Sequence, residues 1–152
     1  VADKGAWHGD PNLKAATVER MKAHREADAF AQGFYQQHDP SKALGYKGCA
    51  LGCMVREQER PHDTDFALLV ATTYGITGMV AGAIDDAFET LDFDHCAEFA
   101  VAVVEAIPVG ADLTAAGEEY WRLAHTDAFD LDRETAANTL LRLVSQAPQV
   151  TA

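Results

Sequence analysis

Asp10-Pro11 opens a stretch in which no further proline occurs until Pro40, and Gly33 is its only glycine. An acid at the cap position followed by proline at the first helical position is a strong helix start. The pattern predicts a helix from Pro11 to about Gln36. At about 100° per residue, Ala16, Ala23, Ala27, Phe30 and Phe34 share one stripe. Glu19, Lys22, Arg25 and Glu26 fall on the opposite, wet side. Beside the apolar stripe runs a second one, Met21, His24, Asp28, Ala31 and Tyr35, with Arg20 at its edge. Polar groups on the flank of a buried face each need a partner or cost free energy. That requirement singles out this segment as site-bearing.

The rest of the chain repeats helical punctuation. His38-Asp39-Pro40-Ser41 breaks the first helix, and a short helix is expected from Cys49 to Glu59, ended by Arg60-Pro61. Asp63 or Thr64 can cap a helix to Tyr74, and Thr77 to Leu91 reads as the next one. Asp92 or Asp94 caps a helix through Glu105, after which Pro108 cannot continue the backbone ladder. Ala111 to about His125 and Arg133 to Gln146 complete the set. Nothing alternates with period two for long enough to insist on a sheet. The expectation is an all-α, single-domain bundle of six or seven helices, with a site-bearing segment at 6–53 and a scaffold at 61–147.

At 152 residues the chain is long enough for one buried core. With 12 basic against 24 acidic residues its net charge is −12, which argues against nucleic-acid or anionic-membrane binding. Three cysteines imply no closed disulfide framework, so a reduced, cytoplasmic setting is expected. No apolar run reaches the roughly 18 residues of a membrane span, and the opening Val-Ala-Asp-Lys does not read as a signal peptide.

Lys47-Gly48-Cys49-Ala50-Leu51-Gly52-Cys53 is the densest chemical signal. A four-residue spacing on a helix stacks Cys49 and Cys53 on one face, and the two glycines let a ligand or backbone approach. Cys49 near a helix start, beside Lys47, is expected to have a lowered thiol pKa. The pair can be metal ligands, a reactive thiol with a resolving partner, or two small buried hydrophobes. His24 and Asp28, at i and i+4, can pair so that the carboxylate orients the imidazole, and Tyr35 can add a hydroxyl. The plainer reading is a surface pair of small energetic worth. Trp7-His8-Gly9-Asp10 is either an ordinary helix cap or a device that turns His8 toward the same groove. Asp85-Asp86 is a paired-carboxylate candidate, with solvent exposure the plainer reading, and Cys96 in an apolar helix reads as core. Phosphate-loop, dinucleotide, zincin and serine-hydrolase signatures are all absent.

The combination of Trp7-His8-Gly9-Asp10, Lys14, His24, Asp28 and Tyr35 with the Lys47–Cys53 run and Glu105-Ala106-Ile107-Pro108-x-Gly110-Ala111-Asp112 resembles a group of uncharacterised bacterial and phage-associated proteins. The resemblance implies a shared fold, leaves a shared site open, and attaches no activity. The last forty residues carry no such marker.

Three functions remain in play. In the first, Cys49 is a nucleophile or redox thiol, with His24 as base, Asp28 orienting it and Tyr35 in the wall, serving hydrolysis, transfer or thiol redox chemistry. No cofactor is needed there. In the second, the chain is an acidic module that binds a protein partner without catalysis. In the third, Cys49, Cys53, His24 and His8 hold zinc or another transition metal. The substrate, whether small molecule or protein, is not specified by these residues.

Overall fold

The computed structural model of the chain describes residues 3–55, 64–130 and 132–151. Seven α-helices carry the fold: α1 (Pro11–Glu26), α2 (Ala50–Met54), α3 (Phe66–Tyr74), α4 (Gly78–Thr90), α5 (Phe93–Ala106), α6 (Thr114–Ala124) and α7 (Arg133–Ser145). The all-α expectation holds, with one addition. A two-stranded antiparallel ribbon, β1 (Gln36–His38) and β2 (Tyr46–Gly48), lies between α1 and α2. Three-residue strands leave no alternation long enough to detect. The expected end of the second helix, with Arg60, Pro61 and Asp63, lies outside the described residues. No helix among the described residues is long and apolar enough to cross a membrane.

Helix α4 is the axis, touching α2, α3, α5, α6 and α7. Its sequence, GMVAGAIDDAFET, explains that position. Small residues let neighbours approach from several sides, while Val80, Ile84 and Phe88 are fully buried. Thr77 caps its start by accepting from the Val80 amide. Helix α1 packs chiefly on α5 and also touches α2.

Helix α1 departs from expectation twice. It ends at Glu26, ten residues early, in a paired-bond terminus: Asp28 N–H donates to Arg25 O and Ala29 N–H to His24 O. Asp28 occupies the left-handed position at φ 53°, where aspartate is tolerated better than most side chains. The buried face is also rotated from the one expected. Thr17, Met21 and His24 are buried, whereas Ala16 and Ala23 are exposed. An alanine stripe offers little area to bury, so the larger Met21 sets which side turns inward.

At the opposite end of the chain's first segment, Trp7, His8 and Gly9 form a single left-handed turn with φ of 61°, 51° and 71°. Two non-glycine residues there cost roughly 1–3 kcal/mol each, so the surroundings must impose the shape. Fully buried Trp7 packs edge-on against Tyr74 at 5.7 Å, and its Nε1–H donates to Ile107 O at 3.0 Å. Ala6 exchanges backbone bonds with the Pro108–Ala111 turn, donating to Ala111 O and accepting from Gly110 N–H, each 2.9 Å. Lys14 Nζ donates to Glu105 O at 2.8 Å near the C-terminus of α5. The C-terminal segment closes the assembly through Val150 N–H to Gly110 O. Two sequence markers far apart in the chain, Trp7–Asp10 and Glu105–Asp112, therefore form one structural interlock.

Candidate functional site

After α1 the chain runs back across α2. Backbone carbonyls of Phe34 and Tyr35 both accept from the Cys49 amide at 3.2 Å. A Cβ on Gly52 would sit 1.7 Å from Tyr35 O, and one on Gly48 would sit 2.2 Å from it. Only glycine fits at either position. The Gly-Cys run thus brings Tyr35 against Cys49. The aromatic ring of Tyr35 stacks on Phe66 at 4.4 Å, which holds the phenol in place.

Cys49 is the residue before α2 rather than part of it, and its side chain is buried. Facing it are two carboxylates from α4, Asp85 and Glu89, which share a helix face at i and i+4. One ligand atom from each of Cys49, Asp85 and Glu89 lies within 4.8 Å of the other two. Among the described residues no other set of three histidine, cysteine or acidic ligand atoms meets that limit. A cleft of about 360 Å³ opens beside them, lined by Gly33, Phe34, Tyr35, Asp85 and Glu89. Asp85 is half-buried, and Glu89 lies at the exposed rim.

The electrostatics are one-sided. Burial pushes the Cys49 thiol well above its ordinary value, and Asp85 and Glu89 add to the effect against amides of Gly52 and Leu51 that favour the thiolate. The lowered thiol pKa expected from the helix start is not what this environment produces. The reasons are loss of water and two facing carboxylates. Burial also raises Asp85, partly offset by hydrogen bonds from Cys49 and Tyr35, with Asp86 pushing it further up. Glu89 is raised by burial too, against a stabilising bond from the Gly33 amide at 2.9 Å. The phenol of Tyr35 is pushed up to about 12, first by burial and then by Asp85. It stays protonated and donates to Asp85 Oδ2 at 3.4 Å. No lysine or arginine among the described residues pairs with either carboxylate.

Of the expected site residues, Cys49 and Tyr35 come together here, and the others do not join them. His24 is buried between the rings of Tyr46 and Phe30, and its Nδ1–H donates to Arg20 O at 2.8 Å. Asp28 is exposed and pairs with Lys42 at 2.9 Å, because α1 ends before an i, i+4 pair with His24 can form. His8 is exposed on the interlock, where its Nε2–H donates to Thr72 O at 2.9 Å. Cys53 is buried and its thiol donates toward Gly48 O at 3.5 Å. The metal set Cys49, Cys53, His24 and His8 is therefore not assembled, and Asp85 and Glu89 stand beside Cys49 instead.

Asp85 had one legible signal, an acid on a helix of small apolar residues. Glu89 had none alone, and only its four-residue spacing from Asp85 hinted at a shared face. Asp86 points elsewhere and accepts from the buried Tyr120 hydroxyl at 2.7 Å. Cys96 is buried core, as its apolar helix suggested. Compared with protein-family models, with curated proteins and with solved structures, the chain matches none of them, so the chemistry of this cleft rests on its own geometry.

Proposed function

We propose that the chain holds one divalent transition-metal ion through Cys49, Asp85 and Glu89, with a coordination position left open to the cleft. The observation that carries this reading is the mutual approach of the three ligand atoms within 4.8 Å at the edge of a cleft, with no pairing lysine or arginine among the described residues. Three anionic donors so close repel one another, and burial adds to the cost. A cation reverses both effects, since a coordinating thiol loses its proton outright. The same surroundings that suppress a free thiolate suit a bound one, which counts against Cys49 as a free nucleophile.

One thiolate with two carboxylates is a mixed set that suits zinc or a neighbouring first-row ion. Calcium and magnesium favour oxygen ligands alone. Three protein ligands with an open fourth position are the arrangement of catalytic rather than structural zinc. Metal-assisted hydrolysis of a small substrate is the reaction class that follows. The phenol of Tyr35, protonated throughout the physiological range, supplies a hydrogen-bond donor at the cleft wall.

Dialysis against zinc followed by elemental mass spectrometry tests the reading. One metal per chain is expected in the parent protein and in His8→Gln. Loss is expected in Cys49→Ser, Asp85→Asn and Glu89→Gln. Equal retention in those last three variants would overturn it.

A further inference from the structure

We propose that the open position over Cys49, Asp85 and Glu89 takes a small, neutral nitrogen heterocycle and rejects carboxylate and phosphate ligands. The inference rests on the metal reading above and extends it to the class of substrate. Three anionic donors around a divalent ion leave the centre with a net negative charge. The surroundings deepen that sign. Among the described residues, Asp65 acts on Tyr35 and Asp86 on Asp85 from outside the donor set, and both are acidic. Lys47 places its ammonium 5.5 Å from the ring centre of Phe34, which lines the cleft. It is already engaged by Asp39 at 3.1 Å. Among the described residues the charged groups lining the cleft are Asp85 and Glu89, so an entering anion meets acidic groups and no lining cation.

Shape and wall chemistry point the same way. The cleft, about 360 Å³, is of small-ligand size. Phe34 and Tyr35 line it, and the Tyr35 ring is held by its stack on Phe66. Aromatic walls favour a flat ring with an uncharged face. A neutral nitrogen donor reaches the metal without adding negative charge.

The test uses the full chain loaded with cobalt, whose visible spectrum reports its coordination. Imidazole, acetate and inorganic phosphate are titrated separately at matched ionic strength. Imidazole is expected to change the spectrum saturably, with acetate and phosphate at least about tenfold weaker. Acetate or phosphate binding as tightly as imidazole would overturn the proposal while leaving the metal site intact. A protein that takes up no cobalt would remove the metal reading, and this inference with it. Asp65→Asn separates charge from shape. Asp65 caps α3 through its side-chain oxygen, accepting from the Leu68 amide, and asparagine can keep that bond. This variant is expected to strengthen acetate binding about two- to threefold and leave imidazole unchanged. Unchanged acetate binding would show that charge is not the discriminator.

Discussion

The interlock around Trp7 and the cleft over Cys49 use their residues in opposite ways. In the interlock the side chains of Trp7, His8 and Lys14 are all spent on backbone carbonyls. The Trp7 indole bonds Ile107 O, His8 bonds Thr72 O and Lys14 bonds Glu105 O. The left-handed turn is strained, yet it is crossed by segments from both ends of the chain. In the cleft the polar groups face one another across a gap, and burial raises the pKa of all three donors. Strain in the first region is resolved by the fold. In the second, the crowding of acidic groups is the basis of the metal proposal. Backbone strain by itself therefore does not mark the candidate site, whereas crowded, partly desolvated acidic groups do.

That contrast can be broken by substitution. The largest effect is expected from Trp7→Ala, which empties a fully buried indole site and should cost about 3–5 kcal/mol of stability. Chemical denaturation measures it, and the fraction that remains folded should bind zinc with parent affinity. A parallel loss of zinc affinity would mean the two regions are coupled. Cys49→Ser should invert the pattern. Zinc affinity is expected to fall at least about 100-fold in competition with a chromophoric chelator, while the metal-free protein loses only about 1 kcal/mol.

Asp85→Asn sharpens the comparison because it should harm one property and improve another. Burial raises the folded-state pKa of Asp85 above its unfolded value, so the folded chain favours the neutral form. Parent stability then falls as pH rises from the ordinary carboxylate range through the raised folded value. The variant escapes that loss. At neutral pH it is expected to be more stable than the parent, read as a higher Tm. The gain should vanish in acid, where the parent carboxyl is protonated in both states. A melting temperature equal to the parent's at neutral pH would remove the claimed conflict.

The smallest effects concern protons. Zinc affinity is expected to rise with pH, by up to about tenfold per unit, because the Cys49 proton must leave on binding. A flat profile across neutral pH would exclude the raised thiol. Tyr35→Phe keeps the stack on Phe66 but removes the donor to Asp85. A few-fold change in zinc affinity is expected, with stability altered by about 0.5–1.5 kcal/mol.

Caps and breaks were the readable part of the fold. Asp10-Pro11 starts a helix as its side chains suggested, helices begin at Gly78 and Arg133 close to the expected Thr77 and Arg133, and Pro108 follows the end of another. The end of α1 was not readable, because no glycine or proline marks it and Asp28 does the work of a glycine. That single misplacement carried the His24–Asp28 pair with it. A helix extended to Gln36 would have aligned those two side chains, and the real terminus turns Asp28 out to solvent.

Local chemistry determined a helical bundle and the starts of α1, α4, α5 and α7, and it made Cys49 and Tyr35 candidates, since caps, prolines and periodicity act over a few residues. Tertiary structure alone decided that Asp85 and Glu89, not His24 and His8, stand beside the thiol. The deciding contact is the passage of Tyr35 over Gly48 and Gly52, which sets Cys49 against the α4 face. Helical spacing can put two acids on one side of α4, but which neighbour they meet depends on how helices pack across dozens of residues.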